Sequence, residues 1–251
     1  MSEVAIHFAN VSKAYGARSV LRGVSLEIAK GSRVGLIGPA ASGKSVLCKL
    51  ACGLEAPDAG EIRVLGEDVV GKREVDLGPL RRRMGMLFQN YALFDYLTVQ
   101  ANVAFPLEQR GGFTRDAIDA RVAERLRAVG LAGSELKLTG ELSGGMKKRV
   151  GIARATVADA EIVIYDEPTA GLDPVTTQKI YDLLAADQAR TGATVLAVSS
   201  DVAALVQFVD EIVFLYAGAL HYRGPASTIA DAPDPLVRQF VRGELEGPLA
   251  S

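Results

Sequence analysis

Apolar residues fall on every second position near the start of the chain, at Val4, Ile6 and Phe8, and again at Val24, Leu26 and Ile28. That period of two predicts half-buried antiparallel strands, punctuated by Gly16, Gly23 and Gly31. Val34-Gly-Leu-Ile37 is continuous enough to predict a strand buried on both faces. After Gly38 the spacing becomes helical at Leu47, Leu50, Ala51 and Leu54, closed by Gly53 and Pro57, so the buried strand turns straight into a helix. Farther on, Arg63-Val-Leu65 and Met84-Gly-Met-Leu-Phe88 read as strands, and Ala117 to Val129 and Met146 to Val157 as helices. Ile162-Val-Ile-Tyr165, Thr194-Val-Leu-Ala-Val198 and Glu211-Ile-Val-Phe-Leu215 are short strands rich in β-branched residues. A helix is predicted from Pro174 to about Arg190, with Asp173 as N-cap, proline at the first helical position and Gly192 behind it. Buried strands alternating with helices predict a parallel α/β sheet. The stretch from Asn90 to Ala155 shows no clear strand and reads as a helical insertion on that sheet.

Composition narrows the class. With 251 residues, 49% hydrophobic and 23% charged, the chain is long enough to bury a full core and is neither disordered nor fibrous. Lys and Arg number 28 against 30 Asp and Glu, a net charge of −2, so the bulk charge offers no field for nucleic acid or an anionic bilayer, and no nucleic-acid partner is expected. The first residues, Met1-Ser-Glu-Val-Ala-Ile-His-Phe, lack the basic and then long apolar profile of an export signal, which predicts a cytoplasmic protein. The apolar run Ile212 to Leu220 is about half of the roughly 18 residues that a membrane helix needs. Cys48 and Cys52 lie four apart in a predicted helix, with only His7 and His221 to assist them as metal ligands, and read as buried thiols. The short charge runs Arg81-Arg-Arg83 and Lys147-Lys-Arg149 read as solvated faces, with phosphate or lipid-headgroup contact as the alternative.

Three segments carry chemistry. Gly38-Pro39-Ala40-Ala41-Ser42-Gly43-Lys44-Ser45-Val46 fits G-x-x-x-x-G-K-[ST] between a buried strand and a helix, the context that a phosphate loop requires. Its turn aims backbone N–H groups inward at the positive end of a helix, Lys44 reaches β/γ-phosphates, and the Ser45 hydroxyl can ligate Mg²⁺. Ala40 and Ala41 stand where such loops often carry Ser and Gly, so Ala41 must reach a tight turn without glycine's freedom. Ile162-Val-Ile-Tyr-Asp166-Glu167 ends an apolar strand in two carboxylates, at the edge where parallel sheets bind ligands. Asp166 suits Mg²⁺ and its water, and Glu167 suits orienting or deprotonating an attacking water. Leu142-Ser143-Gly144-Gly145-Met146 starts a helix with a hydroxyl and two unobstructed N–H groups, a second phosphate-binding helix N-terminus.

With those motifs in that order across nearly all of its length, the chain resembles the ATP-binding subunit of an ABC transporter. The resemblance implies one ATPase domain over residues 1–251 with a P-loop NTPase core (1–89 and 156–251), a mainly parallel sheet, an antiparallel β subdomain and a helical signature subdomain (90–155). It implies ATP and Mg²⁺ as cofactors. Tyr15 matches the aromatic that stacks on adenine, and Gln89 matches the glutamine that touches Mg²⁺ or the attacking water and links the core to the helical insertion. Ser143, Gly144 and Gly145 match the signature that binds the γ-phosphate of the nucleotide held by an opposite copy, and Leu172-Asp173 the loop crossing that interface. A head-to-tail dimer sandwiching two ATP is therefore implied. The family's histidine after the following strand is replaced by Ser200 in Val198-Ser199-Ser200-Asp201, which leaves hydrolysis resting on Glu167 with a shorter neighbour.

Asn90-Tyr91 through Phe105-Pro106-Leu107, with Asp234 to Phe240 and Glu246-Gly-Pro248, is similar to the ATPase subunit of the Mla/Mce phospholipid transport systems. This implies an integral membrane permease docking near Tyr91 to Phe105, an Mce-type substrate-binding protein in the complex, and a location on the inner face of the cell membrane. Phe94, Tyr96, Leu97 and Phe105 supply the apolar density for such docking, with core packing as the alternative for part of them. Two other readings stay open: an ABC ATPase for another substrate, such as amino acids or drugs, and a slow-hydrolysing, nucleotide-gated dimerisation module.

Overall fold

The computed structural model describes residues 3–249; Met1 and Ser2, where the alternating start begins, and Ala250 and Ser251 lie outside the described residues. The chain forms two compact units, Met1–Leu80 with Thr194–Ser251, and Arg81–Ala193.

In the first unit, β1 (Val4–Tyr15) and β2 (Arg18–Ala29) form a long antiparallel hairpin with Ile6 opposite Ile28 and Phe8 opposite Leu26. The period of two buries Ile6, Phe8, Val24, Leu26 and Ile28, as the pattern predicts. β3 (Arg33–Ile37) leads into α1 (Lys44–Ala51), whose inner face is Leu47, Cys48, Leu50 and Ala51. Both thiols are buried, Cys52 as the helix C-cap; Leu54 falls beyond the helix and is 43% exposed, because Gly53 turns left-handed at φ +63°. β4 (Ala59–Val64) pairs with β1 and, through a turn at Leu65 and Gly66 with both φ positive, with β5 (Glu67–Asp68). The strand expected at Arg63 to Leu65 therefore runs earlier and stops before Leu65. α2 (Glu74–Arg81) follows, buried through Leu77 and Leu80.

In the second unit, β6 (Met84–Leu87) is followed by α3 (Val99–Arg110), α4 (Arg115–Ala128) and α5 (Gly144–Thr156). Thr98, Thr114 and Ser143 each accept the amide three residues on, which satisfies an otherwise orphaned N–H at the head of each helix. An isolated antiparallel bridge joins Thr98 and Leu138 within this helical stretch. β7 (Ile162–Asp166), buried throughout, runs parallel to β6. α6 (Pro174–Thr191) carries the expected Asp173 N-cap, Pro174 start and left-handed Gly192 stop. The guanidinium of Arg125 on α4 is buried against Asp187 on α6 at 2.5 Å, an ion pair that ties the two helices within this unit.

The chain then returns to the first unit with β8 (Thr194–Val198), α7 (Val202–Phe208), β9 (Glu211–Tyr216), β10 (Ala219–Pro225) and α8 (Pro235–Arg242). β3 lies between β8 and β9, parallel to both, and β10 returns antiparallel to β9 through a turn at Ala217 and Gly218, φ +46° and +80°. The apolar run Ile212 to Leu220 is thus a hairpin. Among the described residues no helix is long and apolar enough to cross a membrane.

Candidate functional site

In the first unit the buried strand β3 hands the chain to α1 through the phosphate loop. A Cβ on Gly38 would meet the Leu215 carbonyl oxygen at 2.0 Å, so only glycine lets the loop leave the sheet this close to β9. Ala41 adopts φ +59°, the left-handed turn required of it, and Gly43 at φ +106° caps α1. Pro39 is half-buried, Ala40 exposed and Ser42 buried. Lys44, the first residue of α1, curls back so that Nζ donates to the carbonyl oxygens of Gly38 at 2.7 Å and Pro39 at 2.8 Å. Ser45 and Val46 follow, half-buried. A cavity of about 250 Å³ lies here, lined by Ala41, Ser42, Gly43, Lys44, Ser45 and Val46, together with Val20 and Arg18. An ammonium, a guanidinium, two hydroxyls and a helix N-terminus around one cavity are donors suited to phosphate oxygens. Arg18 escapes the motif reading because it lies outside the loop; its only signal is a basic residue in the hairpin that starts at Tyr15.

Tyr15 ends β1 with its ring 48% exposed, and the Lys13 ammonium sits 5.5 Å from the ring centroid. Its hydroxyl donates to the Glu55 carboxylate; burial and that acceptor push the phenol up to about 12. Burial alone would raise the Glu55 carboxyl, but hydrogen bonds from Tyr15 and Lys49 hold it below its usual range. The β3–β8 register pairs Leu36 with Val198, so Ser199 and Ser200 leave β8 at the edge where the phosphate loop leaves β3. Ser199 is buried and accepts the Asp201 amide at 3.1 Å, Asp201 caps α7, and Ser200 is exposed.

In the second unit the carboxylate pair ends β7. Asp166 is 4% exposed, and Glu167 is half-buried in a left-handed conformation at φ +57°, unusual for a residue with a side chain. The register pairs Leu87 with Tyr165, so Gln89, exposed two residues beyond β6, leaves the strand pair at the same edge as Asp166 and Glu167. Ser143 caps α5 by accepting the Met146 amide at 3.3 Å. Gly144 is exposed, and a Cβ on Gly145 would lie 3.3 Å from the Leu172 side chain, so the signature and the Leu172-Asp173 loop are neighbours.

The Lys147 to Arg149 run is no solvated face. Lys148 is 3% exposed, and its Nζ donates to the Glu167 carbonyl oxygen at 3.1 Å and to that of Ala170. Burial lowers its ammonium, opposed by the Glu167 carboxylate. Arg149 donates to the carbonyl oxygens of Val129 and Gly130. Both cations are drawn in because loop carbonyls meet them where α5 packs. In the other run, Arg83 pairs with Glu161 at 2.7 Å.

The apolar cluster beyond Gln89 is partly core. Phe94 and Phe105 pack with their rings tilted by 55°, 4.8 Å between centroids, and, with Met84, Met86, Phe88 and Pro106, line a cavity of about 380 Å³. Arg154 donates to the carbonyl oxygens of Tyr91 and Ala92 and packs 6.0 Å from the Phe94 ring. Tyr96 is 78% exposed. Among the described residues no group of three or more His, Cys, Asp or Glu could hold a metal by itself. Ser45 in the first unit and Asp166 in the second each carry a hard oxygen of the kind Mg²⁺ takes.

Residues 21–170 match the family model described as ABC transporter, a span that includes the phosphate loop, the signature and the carboxylate pair. The chain is 38% identical to the protein trigalactosyldiacylglycerol 3, chloroplastic, of Arabidopsis thaliana, over 99% of this chain and 76% of the relative. It is 37% identical to the probable ribonucleotide transport ATP-binding protein mkl of Mycobacterium leprae (98% and 71%), and 40% identical to the methionine import ATP-binding protein MetN of Caulobacter vibrioides (96% and 73%). A solved dimeric ATP-binding cassette in a post-hydrolysis state bound to ADP and Pi superposes with a TM-score of 0.83 at 30% identity, over 88% of this chain and 98% of that one. Similarity that runs almost end to end shows that the chain belongs to the ABC transporter family as an ATP-binding domain that hydrolyses ATP.

Proposed function

We propose that this ATPase energises the movement of phospholipids between membranes as the nucleotide-driven subunit of an Mla/Mce-type transporter. The observation that carries the substrate class is the 38% identity, over 99% of the chain, to a relative named for a galactolipid. The names of the other relatives, for ribonucleotide transport and methionine import, make a different cargo the competing outcome.

In this reading Lys44 and the loop amides of Gly38 to Val46 hold the β- and γ-phosphates, Arg18 adds a second cation, and Tyr15 stacks on adenine. Glu167 orients a water and accepts its proton as that water attacks the γ-phosphorus, with ADP as the leaving group. Ser45, Asp166 and Gln89 would hold Mg²⁺, which when bound would supply charge neutralisation on the phosphate oxygens. Ser200 occupies the place of a γ-phosphate-sensing histidine and reaches the nucleotide through a water. Two copies pair head to tail, with Ser143, Gly144 and Gly145 of each facing the nucleotide of the other; the dimeric state of the similar solved cassette supports the pairing. Functionally the chain divides into a nucleotide-binding core (1–89 and 156–251) and a helical signature subdomain (90–155).

An integral membrane permease docks near Tyr91 to Phe105 and holds this chain at the inner face of the cell membrane. The support is a cavity whose lining is apolar apart from Arg154, with Tyr96 standing out beside it. An Mce-type protein completes the complex. The test is to replace both Phe94 and Leu97 with Asp: co-purification of the membrane partner should fall at least tenfold while ATP binding is retained, and a lost fold would show the cluster to be core. Lipid analysis of the parent complex then decides the cargo, since phospholipid enriched over the membrane average supports this reading and enrichment of a polar small molecule replaces it.

A further inference from the structure

We propose that Lys148 is a positioning residue for ATP hydrolysis, an ammonium clamp that fixes the backbone on both sides of the turn after Glu167 and so aims its carboxylate. The proposal rests on the assignment of Glu167 as the base. Four observations carry it. Glu167 is wound at φ +57°, a conformation that side-chain-bearing residues keep only when their surroundings impose it. The Lys148 ammonium donates to the Glu167 carbonyl oxygen at 3.1 Å and to the Ala170 carbonyl oxygen, so one cation closes the segment between them. That cation is 3% exposed, so its bonds are not exchanged for water. The same ammonium lies 5.7 Å from the centroid of the Tyr91 ring, two residues past Gln89, where Tyr91 is itself left-handed at φ +62°.

Lys148 stands one turn into α5, the helix that Ser143 caps and on whose head Gly144 and Gly145 lie. A shift of that helix end moves the ammonium, and the ammonium moves the Glu167 turn. The signature helix, the Gln89 loop and the base are therefore joined at one nitrogen. Touching neither substrate nor reacting atoms, Lys148 acts through Glu167. Its neighbour Lys147 stays half-buried, and no hydrogen bond connects it to this turn among those described.

The experiment compares the full chain with Lys148→Met, which keeps the length of the side chain without its donors, and with Lys148→Arg, which restores them. Steady-state turnover is read as kcat against KM for ATP, and hydrogen exchange is followed at the Leu172 amide, which lies two residues past the clamped segment and donates back into it, to the Thr169 carbonyl oxygen at 3.0 Å. Lys148→Met is expected to lower kcat at least tenfold with KM within twofold and to speed Leu172 exchange at least tenfold; Lys148→Arg should recover most of both. Unchanged kcat and exchange in the Met variant would overturn the proposal. So would parallel losses in kcat, KM and melting temperature that Arg does not repair, since these mark a purely structural lysine. If the parent chain itself failed to turn over, the role given to Glu167 would fall, and the exchange arm would still decide whether the clamp exists.

Discussion

Two turns in this molecule wind a residue with a side chain into the left-handed region beside phosphate chemistry, Ala41 at φ +59° and Glu167 at φ +57°, and they are held in opposite ways. The Ala41 turn is closed by its own neighbours: the Ser42 amide bonds Pro39, and Lys44 reaches back to the carbonyl oxygens of Gly38 and Pro39. The Glu167 turn is closed from outside, by Lys148 reaching across from α5. A loop whose restraints are local can be carried intact in a short motif. A loop restrained by a remote cation depends on where a helix packs, and its conformation follows any movement of that helix. The first design suits the phosphate cradle proposed for that loop, the second the catalytic role proposed for Glu167, which would then answer to α5.

The comparison breaks most visibly at Glu167. Glu167→Gln keeps shape and loses the basic oxygen, so turnover should fall by about 10² to 10⁴, the range of a general base, while ATP still binds. ATP should then accumulate a dimer of doubled mass by light scattering; normal phosphate release from this variant would move the base elsewhere. At the other turn, Lys44→Ala removes a charge-assisted contact worth about 1.5–3 kcal/mol, so ATP affinity should weaken about ten- to hundredfold. Equilibrium binding of a fluorescent ATP analogue measures it, and unchanged affinity would take the nucleotide away from this loop.

Those two outcomes fall on residues that the sequence alone singles out, and the contrast explains what else was legible. The phosphate loop reads directly because strand, turn and helix follow one another within a few residues, and the period changes at Gly38. The same holds for Asp173-Pro174, whose cap and start lie side by side. Lys148 was hidden because a short run of cations resembles a solvated face, and only the packing of α5 shows that its second member is buried among carbonyl oxygens. Arg18 was hidden for a related reason: the β1–β2 hairpin folds it over a loop from which it is separated in sequence. The hairpin of β9 and β10 was missed because an apolar run says nothing of where two positive φ angles will interrupt it.

Ser200 sharpens the comparison from the β8 edge, where the register sets it at the sheet edge from which the phosphate loop leaves β3. Ser200→His introduces a ring long enough to bond a phosphate directly. A direct bond to developing charge in place of a water-mediated one is worth about 1.4 kcal/mol here, so phosphate release should rise about tenfold. A fall would mean that Ser200 and its water already satisfy the site and that the imidazole displaces them.

The smallest effect tests the rigidity of the local turn itself. Ala41 in the left-handed region carries a steric cost of about 1–2 kcal/mol that glycine does not. Glycine, however, gives the unfolded chain more freedom, a loss of about 0.4–1 kcal/mol. The difference favours Ala41→Gly by up to about 1.6 kcal/mol, and for a chain of this size each 1 kcal/mol is a rise in Tm of about 2–4 °C by calorimetry. Glu167→Gly removes the same steric cost at the other turn, but it also removes the carboxylate that attracts the Lys148 ammonium, so the chain should gain less there. Equal gains at both positions would mean that the carboxylate contributes nothing to holding its own turn against the remote ammonium.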